Sequence, residues 1–122
     1  MTKRTGEAGE KIAAKYLKKQ GFKILTTNYR AMRGEIDIIA RDAGTLVFVE
    51  VKTNRTGSEV PPEVRVNLTK QKQIGKIAQA YIQETRSGSY DCRFDVVGVT
   101  LSDKGKHEIT HIRDAFWLPP EL

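Results

Sequence analysis

Apolar positions along the chain follow two periods. From Gly34 it reads Gly34-Glu35-Ile36-Asp37-Ile38-Ile39-Ala40, then Arg41-Asp42-Ala43-Gly44-Thr45, then Leu46-Val47-Phe48-Val49-Glu50-Val51-Lys52. Two β-branched runs around an Asp/Gly-containing interval predict two strands joined by a hairpin loop. Phe22 to about Tyr29 predicts a strand before them. Arg93 to Leu101 and His107 to Ile112 predict two more, separated by a turn at Ser102-Asp103-Lys104-Gly105. Helical spacing governs two other segments. Between Gly6 and Gln20, Ala13, Ala14 and Leu17 form a stripe that Ile12 and Tyr16 broaden, and Gly21 closes the helix. A second helix begins near Asn67 or Thr69 and ends before Ser87-Gly88-Ser89, with Ile74, Ile77, Ala78 and Tyr81 as its apolar face. Residues 53–68 contain Gly57, Ser58 and Pro61-Pro62 without sustained periodicity and predict a mobile loop. The order αβββαββ over 1–122 predicts one α/β domain, a mixed sheet flanked by helices, with no repeat or internal linker.

Charged residues interrupt this pattern at particular places. Side chains alternate along a strand, so Glu50 and Lys52 share a face with Leu46 and Phe48 while Val47, Val49 and Val51 line the other. Asp37 takes the face opposite Ile36, Ile38 and Ala40, where hairpin pairing can bring it beside Glu50. At 100° per residue Glu10 lies about 60°, 40° and 20° from Ala13, Ala14 and Leu17, so its carboxylate points with the apolar stripe. Lys70 lies about 40°, 20° and 20° from Ile74, Ile77 and Tyr81 and also faces inward, whereas Lys72 faces solvent. Two carboxylates converging with an ammonium suit a hard cation such as Mg²⁺, which takes oxygen ligands. The competing reading is an ion-pair ladder on a half-exposed sheet. Inward-pointing Glu10 and Lys70, from separate helices, favour a site.

An Asp followed by Glu-x-Lys on core strands resembles the PD-(D/E)XK nucleases. A closer resemblance, covering most of the chain, is to the YraN family of small bacterial proteins with a Holliday-junction-resolvase-like fold. It is carried by Gly9-Glu10, Asn28-Tyr29-Arg30, Gly34-Glu35-Ile36-Asp37, Phe48-Val49-Glu50-Val51-Lys52, Lys70-Gln71 and Asp91-Cys92-Arg93-Phe94-Asp95-Val96-Val97. The resemblance implies a restriction-endonuclease-like domain and metal-assisted phosphodiester hydrolysis in DNA, including structured or branched DNA. Asp37 and Glu50, with the Val51 backbone carbonyl, would hold Mg²⁺ or Mn²⁺, and Glu10 would complete the shell through water. Lys52 would orient the attacking water or stabilise developing negative charge, and Lys70 would contact phosphate or neutralise a carboxylate. Glu35 shares the strand face of Asp37, but at the strand start it could equally be solvated. Resolvase chemistry on two strands would imply a homodimer.

Composition narrows the partner. With 21 Lys and Arg against 15 Asp and Glu, the net charge of +6 favours an anionic partner. Asn28, Arg30 and Arg33 offer a polar, basic edge before the site strand, and Arg55, Arg65, Lys72 and Lys76 could extend a nucleic-acid surface. Lone Cys92 excludes an internal disulfide framework and a cysteine zinc cluster, which fits a reducing cytoplasm. No apolar leader or membrane-length stretch is expected. Three rivals remain: a nucleic-acid-binding module without turnover, a scaffold that recruits another protein, and a zinc protease suggested by His107-Glu108-Ile109-Thr110-His111. The last requires both histidines on one helical turn; on the strand that Ile109, Thr110 and Ile112 favour, they stand roughly 13 Å apart. Asp95, inside an apolar strand, reads as structural support.

Overall fold

The computed structural model describes residues 3–56 and 67–116. Its elements run α1 (Lys3–Lys19), β1 (Lys23–Ala31), β2 (Gly34–Asp42), β3 (Thr45–Arg55), α2 (Leu68–Thr85), β4 (Asp91–Leu101) and β5 (His107–Ile112). The strands form one sheet in sequence order, antiparallel except for the parallel β3–β4 pair that α2 bridges as a crossover. This mixed sheet between two helices, ordered αβββαββ, is a restriction-endonuclease-like α/β fold.

Alternation along β3 assigns the two faces. Val47, Val49 and Val51 pack with Ala13 and Leu17 of α1 and with Val97 and Val99 of β4. Leu46 and Phe48 pack with Ile74, Ile77 and Tyr81 of α2 and with Phe94 of β4. Both faces of the central strands are therefore apolar, as a strand covered on both sides requires. The helix ends match their sequences. Asn67 caps α2 by accepting the Lys70 N–H at 2.8 Å, and Gly21, at φ 94°, ends α1 where the Phe22 N–H returns to the Leu17 carbonyl.

Three boundaries differ from the sequence expectation. The β2–β3 loop shrinks to Ala43-Gly44, because Asp42 still pairs with Thr45. The loop expected at 53–68 starts later. Thr53, Asn54 and Arg55 continue β3 because β4 extends alongside them, pairing to Val99, Thr100 and Leu101, and residues 57–66 lie outside the described residues. The β1–β2 turn is Met32-Arg33, both in the left-handed region at φ 50° and 61°. A two-residue hairpin turn needs that conformation, but Asn-Gly adopts it far more readily. Each non-glycine residue there costs on the order of 1 kcal/mol.

Alternation also breaks within β2. Ile38 and Ala40 face α1, as Val47 and Val49 do, but Ile36 joins the α2 cluster although it is only two residues before Ile38. The strand rotates at Asp37. Across the ladder, between the Thr27–Ile38 and Tyr29–Ile36 pairs, stands Asn28 with φ 52°. Asparagine is among the few residues that tolerate this region.

Candidate active site

The rotation of β2 at Asp37 separates β2 from β3. Regular pairing ends at Ile38–Val49, and beyond it the Val51 N–H donates at 2.8 Å to Asp37 Oδ2. A carboxylate thus replaces the carbonyl that the ladder would have supplied. Where the strands part, side chains from both sheet faces meet at one place.

Glu10 comes from α1. Its neighbour Gly9 is buried, and a Cβ there would run into the Thr53 side chain of β3, so the glycine lets the helix backbone settle against the sheet. Glu10, Glu35 and Asp37 each place a carboxylate oxygen within 4.8 Å of the others. Asn28 Nδ2 bridges two of them, donating to Glu10 Oε1 at 2.7 Å and Glu35 Oε1 at 2.9 Å. Arg30 Nε lies 3.2 Å from Glu35 Oε2.

Glu50 reaches the same place from the α2 face and is buried. Lys52 Nζ lies 3.6 Å from Glu50 Oε1. Burial raises the Glu50 carboxyl above its ordinary value, although Lys70 of α2 and then Lys52 oppose the shift. Asp37 is pushed up to about 7. Burial is the largest cause, the Glu50 charge is next, the Val51 N–H works against both, and Glu10 and Glu35 add to the rise. Like charges held together out of water favour the proton. Without a cation, this cluster repels itself.

Glu10, Asp37, Glu50, Lys52 and Lys70 therefore gather around one position. Glu35 belongs to the carboxylate trio itself. Asn28 lies inside the site, bound to two carboxylates. Lys72, Lys76, Arg33 and Arg55 are exposed, and Arg65 lies outside the described residues. Two contributions escaped sequence reasoning: the bridging amide of Asn28 and the closeness of Glu35 to Glu10. The available signal was an asparagine, a poor strand former, in the middle of β1.

On β4, where it pairs with Val49 of β3, Asp95 is fully buried with a full set of partners. Arg93 donates through Nε at 2.9 Å and Nη2 at 3.1 Å, the Asp114 N–H at 3.0 Å, and His111 Nε2 lies 2.8 Å away. Burial pushes this carboxyl up, but the hydrogen bonds from His111, Arg93 and Asp114 outweigh it and leave it below its ordinary value. His111 Nδ1 is 3.0 Å from the Tyr16 hydroxyl. His107 and His111 both lie on β5. His111 ties α1 and β5 to β4, and the H-E-x-x-H helix that a zinc protease needs is not formed.

Residues 9–99 match the sequence model described as "Uncharacterised protein family UPF0102". A UPF0102 protein of Syntrophus aciditrophicus is 50% identical over 115 residues, covering 94% of this chain and 90% of that protein. One from Pelobacter propionicus is 46% identical over 116 residues, covering 93% and 83%. One from Alkaliphilus oremlandii is 46% identical over 118 residues, covering 95% and 100%. The chain belongs to the UPF0102 family, which bears out the YraN resemblance at the level of family.

Proposed function

We propose that this UPF0102 protein is a metal-dependent endonuclease of the bacterial cytoplasm that hydrolyses phosphodiester bonds in DNA, including structured or branched DNA. The supporting observation is the crowding of Glu10, Glu35 and Asp37 within 4.8 Å, with Glu50, Lys52 and Lys70 beside them. Three carboxylates from α1 and β2, with Glu50 from β3, are an all-oxygen donor set. That set fits Mg²⁺ or Mn²⁺ and does not suit metals that prefer thiolate or imidazole. Asp37 would be the central ligand. Glu10 and Glu35 flank it, and Glu50 with the Val51 carbonyl would supply further oxygens. When bound, the cation polarises the scissile phosphate and acidifies water.

The chain's own groups have separate tasks. The Val51 N–H fixes the orientation of Asp37, and Asn28 holds Glu10 and Glu35 in register. Lys52, held by Glu50 and partly exposed, offers an ammonium to the attacking water or to charge developing on the phosphate. Lys70 offsets the charge of buried Glu50. Arg30 and Arg33 line a groove of about 540 Å³ that runs to Glu35.

Cleavage of linear, flapped and four-way DNA in Mg²⁺, Mn²⁺ or EDTA tests this reading. Wild type should cut only with a divalent cation. Glu50→Ala should lose activity by about 10²-fold or more, and Lys52→Ala should lose activity while still binding metal. Cleavage that persists in EDTA would overturn the mechanism. DNA binding without cleavage of any substrate would mark the protein as a binding module.

A further inference from the structure

We infer that Met32, at the tip of the β1–β2 hairpin, is a wedge inserted beside an unstacked base step, so that the site selects nucleic acid with a flap, branch or other break in stacking. The inference rests on the phosphodiesterase reading above and names its substrate class. Met32 and Arg33 form a turn with both residues in the left-handed region, a shape that Asn-Gly would take with less strain. Strain of this kind persists where the surroundings fix it, and it concentrates at ligand clamps. Here α2 fixes it: Gln73 Nε2 donates to the Met32 carbonyl at 2.9 Å. Gly34 leaves the room for this, since a Cβ there would sit 2.6 Å from Gln73 Nε2 and 2.8 Å from Ile77 Cδ1.

That clamp holds the backbone and leaves the side chain outside. Met32 is 59% exposed, among the few large apolar residues left in water. Its thioether chain adds nothing to either core, so packing does not account for it. Its neighbours do. Arg30 and Arg33 lie on either side and line the groove that leads along Gly34 to Glu35 of the carboxylate trio. An exposed apolar side chain at a hairpin tip flanked in sequence by two arginines is suited to entering a base step while the cations hold nearby phosphates. Insertion costs stacking energy, and the cost is least where stacking is already broken. Only Arg33 of the turn and Gly34 at the start of β2 separate Met32 from Glu35.

The test uses flapped DNA with 2-aminopurine at the branch, bound in EDTA so that no cleavage step intervenes. Wild type and Met32→Leu should raise the fluorescence several-fold. Met32→Asn, whose side chain is polar but tolerates the left-handed backbone, should keep its melting temperature and its affinity for linear duplex. Its fluorescence rise should fall at least about five-fold, and its preference for flapped over linear DNA should disappear. A wild-type rise from Met32→Asn would overturn the wedge. So would metal-dependent cleavage of flapped and linear DNA at the same ratio in both proteins, while leaving the hydrolytic reading in place. Failure of the wild type to bind any nucleic acid would overturn both.

Discussion

Asp37 combines a structural role and a chemical one, and they oppose each other. Its carboxylate completes the β-ladder by accepting from Val51, yet it stands among Glu10, Glu35 and Glu50 with its pKa pushed up to about 7 from the usual 3.8. The native state therefore holds a proton that the unfolded chain releases between about pH 4 and 7. The stability from this group is fully present below that window and lost as pH rises through it. Lys52, Lys70 and Arg30 temper the repulsion without removing it. Asp37→Asn keeps an oxygen for the Val51 N–H and removes one of the crowded charges. In metal-free buffer at pH 8 the variant should be more stable than wild type by about 1–2 kcal/mol, a shift of several degrees in thermal unfolding. Millimolar Mg²⁺ or Mn²⁺ should stabilise the wild type at pH 8 by up to about 2.7 kcal/mol at one hundred times Kd, read as a rise in melting temperature. The effect should be much smaller at pH 5, where protons compete for the ligands, and absent in Asp37→Asn. A variant less stable than wild type at pH 8 would mean that the charge cluster is not under repulsion.

Elements carry these residues to one place through close backbone approaches, and Gly9 is the tightest. Exchanging it for alanine inside a helix would ordinarily gain up to about 1 kcal/mol of propensity. Three Thr53 atoms, its Cβ included, lie within 3 Å of the would-be methyl, and overpacking of that kind costs about 1–3 kcal/mol. The collision should win. Gly9→Ala should destabilise by about 1–2 kcal/mol and weaken metal binding by shifting Glu10, and Thr53→Ala in the same chain should restore part of both. Unchanged unfolding in Gly9→Ala would show that α1 has room to move. This level of organisation was partly legible in the sequence. The element order and the inward phases of Glu10 and Lys70 follow from helical and strand periods, because apolar burial enforces those periods. The rotation at Asp37 does not follow from them. A strict two-residue period puts Ile36 and Ile38 on one face, but the ladder gives way where a side chain takes over a backbone hydrogen bond. Glu35 at the strand start was undecided for the same reason, since only the amide of Asn28, from the neighbouring strand, joins it to Glu10. Arg55 read as loop because continuation of β3 depends on β4, some forty residues later, lying alongside it.

For the whole molecule two buried carboxylates of the sheet, Asp37 and Asp95, respond to pH in opposite senses. Asp95, held below the ordinary carboxylate range despite its burial, adds stability above that range and loses it as pH falls through its folded value. Acid unfolding should therefore begin in the network of Asp95, Arg93 and His111. Asp95→Asn should cost about 2–3 kcal/mol at pH 7, because it removes the charge from a buried acceptor of several hydrogen bonds and leaves partly buried Arg93 with Asp42, at 3.2 Å, as its counter-charge, and it should flatten the acid limb of a stability curve measured by urea unfolding. The net charge of +6 acts at longer range. Arg30, Arg33, Lys52 and Lys70 stand beside the carboxylate site, and Arg55 and Lys72 are exposed. The sequence carries no recognised base-reading motif, so affinity for DNA should come mainly from phosphate contacts and depend little on sequence. If about four or five phosphates are neutralised, raising salt from 50 to 200 mM should weaken binding by about 10²–10³-fold. Arg30→Ala and Arg33→Ala should each lower the slope of log K against log salt by about 1. Anisotropy titrations at several ionic strengths, in EDTA, would measure both. Asp37→Asn, which adds no cation, should barely change that slope. A flat salt response would redirect the +6 charge towards a protein or small-molecule partner, and the cluster of carboxylates would then need a substrate other than a polyanion.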